Sequence, residues 1–192
     1  LRVRLISDRD DLVIRPRLYE ADPAAMRIPL DDLLGPIGVN RMTARVDSID
    51  VDAGMAVACA GDGRRLTAMF DRLVLTAGSH LVRPGLPGAE YLFDIDTIEA
   101  ATALDVHLHG LPARPATLGR YTAVVVGAGF TGLEIVTELG ARLRGIAGPD
   151  ADIRVVLVER NTVPGPELGD APRPYIVKAL DDLGVELRLG RT

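Results

Sequence analysis

The sequence predicts an α/β fold in which a small antiparallel β-meander precedes a parallel β-α-β-α-β unit. Three observations predict it. Between residues 40 and 70 apolar side chains recur with a period of two. Between residues 121 and 189 three apolar runs alternate with two stretches of helical periodicity. Between these patterns lies the segment 112–120, which contains two prolines and a glycine and reads as a linker. It places a domain boundary between residues 115 and 116, giving regions 1–115 and 116–192.

Each element has a local reason. Residues 1–6 alternate apolar and polar and read as a strand, and 7–11 as a polar loop. Segment 14–19 carries Pro16, which a helix interior excludes. Residues 30–34 form a short predicted helix that Gly35 and Pro36 end. The meander strands are 44–51, 55–60 and 66–70, joined by turns around Gly54 and at Gly61-Asp62-Gly63. Residues 71–79 read as a further apolar strand ending in small residues, and 84–88 as a loop. Asp96, with Glu99 three positions later, has the spacing of a capping box for a helix running through 100–104. Downstream, 121–126 is a continuous apolar run suited to a strand buried on both faces. Helix 130–143 follows, with Leu133, Val136 and Leu139 on one face, then strand 153–158. Helix 172–183, with Asp170 as its N-cap, ends at Gly184 before strand 185–189.

Composition narrows the function classes. The chain has 192 residues, 47% hydrophobic and 26% charged, the profile of a soluble globular protein. Its net charge of −5 argues against binding to nucleic-acid phosphates. Its one cysteine, Cys59, excludes an internal disulfide and a Cys-rich zinc site, and reads as a small core residue. No apolar run approaches the roughly 18–20 residues of a membrane span, and no secretory signal is visible, so the expected compartment is cytoplasmic. His80, His107 and His109 lack the partners of a metal site and read as structural or surface residues. Strand-like patterns at both ends of the chain lead to the expectation of a fragment of a larger protein.

The residues with the most chemistry are Gly127, Ala128, Gly129, Phe130, Thr131 and Gly132, a G-x-G-x-x-G sequence between an apolar strand and an apolar-faced helix. The first glycine permits a tight turn, the second lets backbone approach a pyrophosphate, and the third lets helix pack on sheet. The helix N-terminus then presents N–H groups to the anion. Glu159 ends the next strand, where its carboxylate can accept ribose hydroxyls. The gap from Gly132 to Glu159 exceeds the usual spacing of about 20 residues, and 145–152 reads as an insertion between helix and strand. A Rossmann-like dinucleotide-binding unit is expected. Glu159 repels a 2′-phosphate and favours NADH over NADPH, while the adjacent Arg160 could bind such a phosphate.

Three segments carry a family resemblance: Ile14-Arg-Pro-Arg-Leu-Tyr-Glu20, Asp71-Arg-Leu-Val-Leu-Thr-Ala-Gly-Ser79 and Val126-Gly-Ala-Gly-Phe-Thr-Gly-Leu-Glu134. Together, and in this order, they make the chain similar to the FAD-dependent pyridine nucleotide oxidoreductases of the pyridine nucleotide-disulfide oxidoreductase fold. It looks nearest to the type II NADH dehydrogenases. The resemblance implies a Rossmann-like NAD-binding unit inserted in a partial FAD-binding domain. It implies that Thr76, Ala77, Gly78 and Ser79 pass close to FAD, with Thr76 and Ala77 in swapped order relative to the family's A-T-G. Gly78 read alone is also a plain turn glycine. Val46 stands where the family contacts adenine through backbone. Glu134 matches an acid near the nicotinamide, and read alone is also an acid favoured by the helix dipole. Arg15 and Pro16 would lie near the flavin, Arg15 otherwise being a solvated loop cation.

This chain has Ser7 and Asp8 where the family often has an acid binding the FAD ribose. The family's first FAD strand would precede Leu1, and its second FAD segment and C-terminal domain would follow Thr192. The chain alone is therefore expected to bind FAD poorly and to be inactive. The missing second cysteine argues against a dithiol enzyme. The implied activity is an NADH dehydrogenase passing hydride from NADH to FAD and electrons to a quinone or similar acceptor. No catalytic side chain is assigned, since the cofactor carries the chemistry. The alternatives are a ferredoxin reductase-like enzyme serving an iron–sulfur protein and a non-catalytic NADH-binding module.

Overall fold

The computed structural model describes every residue except Pro84, Leu86 and Thr192. The loop expected at 84–88 includes two of these and lies partly outside the described residues. The chain packs as two compact units, Leu1–Ile14 with Ala25–Leu86, and Arg15–Ala24 with Pro87–Thr192.

Among its described residues the first unit holds three small sheets. Strand β1 (Arg4–Ser7) runs parallel to β4 (Asn40–Thr43), with Arg4 opposite Asn40. Strands β2 (Asp11–Val13) and β3 (Arg27–Pro29) form an antiparallel pair, and α1 (Leu30–Leu34) follows directly. The expected meander is present as β5 (Arg45–Asp50), β6 (Met55–Cys59) and β7 (Arg65–Met69), with β6 central. Its inner face is built from small side chains, Ala56, Ala58 and Ala68.

One expected element of this unit does not form. Residues 71–80 have no regular structure, and Val74 and Leu75 are exposed. A strand exists only against a neighbour that completes its hydrogen-bond ladder. None of the sheets among the described residues includes this segment.

The second unit contains α2 (Ile98–Gly110), β8 (Thr122–Val126), α3 (Phe130–Ala147), β9 (Arg154–Glu159), α4 (Arg173–Asp182) and β10 (Val185–Leu189). The sheet is parallel in the order β10-β9-β8. The β-α-β-α-β unit is thus as expected, with differences in detail. The cap of α2 is Thr97, whose hydroxyl accepts from the Ala100 N–H at 3.2 Å. Asp96 instead pairs with Arg15, so the N-cap stands one residue later than the capping-box spacing placed it. Asp170 does not cap α4 either: the N-cap is Pro172, and the Asp170 carboxylate holds Arg173. Helix α3 extends through Ala147, so the first residues of the expected insertion at 145–152 are helical. The apolar run of β8 is not buried on both faces. Gly132 and Val125 lie close together on the side where α3 packs, while Val124 and Val126 point outward, each more than half exposed.

The core of this unit lies between α3 and the sheet. Val136, Leu139 and Leu143 of α3 meet Val155 and Leu157 of β9 and Leu180 of α4. Each such side chain contributes about 1.5–3 kcal/mol on burial. This packing fixes where α3 begins relative to the end of β9.

Candidate nucleotide-binding site

The chain turns sharply out of β8 at Gly127, whose φ of +96° is in the region that side chains disfavour. The Gly127 N–H donates to Val158 O at 2.8 Å, joining the turn to β9. Gly129 is the N-cap of α3, and no side chain caps that helix. Its first-turn N–H groups therefore face the anion-binding end of a helix dipole without a side-chain acceptor in place. Gly132 has the least freedom: a Cβ there would stand 1.9 Å from Gly127 O. The third glycine is required by the contact of the first helical turn with the loop.

Glu159 is turned inward and is only 6% exposed. Its Oε2 accepts the Ala128 N–H at 2.7 Å, across 31 residues of sequence. Its Oε1 accepts the Asn161 N–H at 2.8 Å and the Asn161 Nδ2 at 2.6 Å. Burial by itself raises the carboxyl's proton affinity. The hydrogen bonds from Ala128 and Asn161, with the charge of Arg160, outweigh that and hold the group below the usual glutamate range. Glu159 is thus an anion tied to the glycine loop. Arg160 beside it is exposed.

Sequence reasoning missed two residues here. Asn161 orients the carboxylate, and its only signal was an amide two positions after the acid. Gly165 donates its N–H to Ala128 O at 2.9 Å and closes the loop from its other side. Its φ is +60°, and a Cβ would come within 2.9 Å of Leu168 Cδ1. The glycine between Pro164 and Pro166 was the available signal.

Phe130 and Thr131 are exposed at the start of α3. Glu134 is half-buried one turn on, beside Phe130 and Leu133, in a shallow, mainly apolar cleft of about 300 Å³ against Leu168 and Ile176. The structure thus brings together Gly127, Ala128, Gly129, Gly132 and Glu159 by direct contacts, with Phe130, Thr131, Glu134 and Arg160 adjoining in the chain.

Of the residues expected near a flavin, Val46 and Thr76–Ser79 lie in the first unit and Arg15 and Pro16 in the second. Thr76, Ala77, Gly78 and Ser79 are exposed and outside regular structure, with Gly78 at φ +75°. Val46 lies on β5 opposite Ala58, next to a bulge. Arg15 and Pro16 form a single 3-10 turn, in which Arg15 donates from Nη2 to Asp96 Oδ1 at 2.5 Å and from Nε to Asp96 O at 3.2 Å. His107 packs on Phe93, with ring centroids 4.5 Å apart, and burial and then the charge of Arg114 lower its proton affinity. His109 Nδ1 lies 2.9 Å from Asp105 O. Among the described residues no cluster of His, Cys, Asp and Glu could hold a metal ion, and no helix is long and apolar enough to cross a membrane.

The fold has clear counterparts. The chain is 46% identical over 191 residues to an NADH dehydrogenase-like protein of Mycobacterium tuberculosis, covering 98% of this chain and 47% of that protein. It is 28% identical to the type II NADH:quinone oxidoreductase of Staphylococcus saprophyticus, covering 98% of this chain and 49% of that protein. The chain therefore spans about half the length of these curated relatives. The structure of NDH2 from Plasmodium falciparum in complex with NADH superposes with a TM-score of 0.79 over 98% of this chain and 43% of its own, at 14% identity. At that identity the likeness shows the fold. The family model described as pyridine nucleotide-disulphide oxidoreductase matches residues 6–192, nearly the whole chain. From the glycine loop to the meander, the chain belongs to the pyridine nucleotide-disulphide oxidoreductase family.

Proposed function

We propose that this chain is part of an FAD-dependent NADH dehydrogenase that passes electrons on to a quinone or a similar acceptor. In this reading residues 116–192 are the NAD(P)H-binding domain and 1–115 part of the FAD-binding domain. The protein acts in the cytoplasm, and any membrane attachment comes from regions beyond this chain. The observation that carries the reading is the buried carboxylate of Glu159 bonded to the backbone of the glycine loop. It supports a site in which a pyrophosphate and an adenosine ribose are met from one rigid turn.

The residues present fit NADH. The uncapped first turn of α3 faces the pyrophosphate, and Gly127 and Gly129 leave the backbone accessible. Glu159 takes a ribose hydroxyl and, being ionised at neutral pH, repels the 2′-phosphate of NADPH. Glu134 and the apolar wall of its cleft flank the nicotinamide side. For FAD the support is the sequence resemblance of Arg15, Pro16, Val46 and Thr76–Ser79. Bound together, the two cofactors supply hydride transfer, and the chain's own part is to bind, orient and exclude water.

The test is an anaerobic titration of the full-length parent with NADH, following the visible flavin absorbance. Bleaching by NADH supports the reading. A flavin band that persists with both NADH and NADPH overturns it. Absence of any flavin band points to an NADH-binding module without turnover.

A further inference from the structure

Segment 15–19 lies between β2 and β3 in sequence, yet it clusters with the nucleotide-binding unit. Its turn is closed by the Leu18 N–H on Arg15 O at 3.1 Å, Leu18 is 1% exposed, and Tyr19 packs against the core of that unit. Two guanidinium groups fasten it. Arg15 reaches Asp96 just before α2. The second is Arg142 of α3, whose side chain is only 7% exposed. Its Nη2 donates to Asp105 Oδ1 of α2 at 2.8 Å, and its Nη1 to Tyr19 O at 3.2 Å. Asp105 Oδ2 also lies 3.3 Å from His109 Nδ1.

A buried cation is tolerated where it is paired and its donors are used. Here one planar fork answers a carboxylate on one element and a backbone carbonyl on another. A lysine ammonium, a single point of charge on a flexible stem, does not reproduce that geometry. The same helix that carries Arg142 begins at the glycine loop.

We propose that Arg142 is a positioning residue: it fixes the 15–19 backbone, and with it Arg15 and Pro16, relative to the glycine loop, and so sets the flavin side of the site against the nicotinamide side. This rests on the reading that NADH binds at the glycine loop and that Arg15 and Pro16 adjoin the flavin. Hydride transfer depends steeply on such registration, with a misplacement of about 1 Å costing up to about a hundredfold in rate.

The experiment uses the full-length flavin-loaded parent and its Arg142→Lys and Arg142→Met variants. Arg142→Lys keeps a charge for Asp105 and gives up the fork to Tyr19 O. Its thermal midpoint and NADH Kd are expected to stay near the parent's, with flavin reduction by saturating NADH slowed at least about tenfold. Arg142→Met shows the same slowing with a loss of stability added. Parent-like flavin reduction in Arg142→Lys overturns the proposal, as does a slowing that only tracks weaker NADH binding. A parent whose flavin NADH does not bleach overturns the underlying reading, and the proposal with it.

Discussion

Two residues decide the behaviour of the proposed nucleotide site. Glu159 accepts three hydrogen bonds from the loop and from Asn161. Glu159→Gln leaves at least one of those donors facing an NH2 group. An unmet buried donor costs about 1–3 kcal/mol, so stability falls by that order and NADH affinity falls with it, as chemical denaturation and NADH titration of the full-length parent would measure. The pH dependence follows from the same contacts. The folded-state pKa of Glu159 lies below its unfolded value. Its stabilisation is therefore complete above the unfolded value of about 4.3, and it is lost as pH falls through the lower, folded value. A melting series from pH 7 to pH 3 is expected to show a flat region and then an acid-side decline, which Glu159→Gln makes shallower. Gly132 is the other residue. Gly132→Ala would put a methyl group 1.9 Å from Gly127 O, so the loop must move. NADH binding is lost, together with at least about 1–3 kcal/mol of stability; a variant that binds NADH like the parent contradicts the role given to this glycine.

At the level of elements, stability comes from caps and from the packed layer. Thr97→Ala removes the hydroxyl that accepts the Ala100 N–H, at a cost of about 1 kcal/mol, whereas Asp96→Ala leaves the cap in place and removes the carboxylate that Arg15 Nη2 meets. Comparing the two by thermal melting separates the observed cap from the one the capping-box spacing suggested. The β-α-β-α-β unit was legible in the sequence because its signals are local: apolar runs, helical periodicity, and glycines at a turn. Strand 71–79 was misread because pairing is not local. Its residues have the composition of a strand, and no described sheet receives it. The inward turn of Glu159 was illegible for the same reason: its carboxylate meets the Ala128 N–H across 31 residues. Asn161 left only a local hint, an amide two positions after that acid. The short β2–β3 pair left no pattern long enough to read.

For the whole molecule, the informative result is that sequence order and packing order differ. Residues 15–24 lie in sequence between two stretches of one unit and pack with the other. Ligand occupancy acts at this scale too. If NADH binds only the folded nucleotide unit, NADH at a hundred times its Kd raises the unfolding free energy by about 2.7 kcal/mol. Melts of the full-length parent with and without NADH would show it, and an unchanged midpoint would speak against binding.

On the proposed reading, the inward turn of Glu159 also limits how the cofactor is recognised. An ionised carboxylate has about four lone-pair positions, and here three are occupied by the protein's own N–H groups. Among the described residues a single vacancy remains, on Oε2, while an adenosine ribose offers two hydroxyls. The carboxylate then serves one of them. Of the 2′-deoxy and 3′-deoxy forms of the adenosine half of NADH, one is expected to bind nearly as well as NADH and the other clearly worse. Equal losses for both would mean that Asn161 gives up its place when the cofactor arrives.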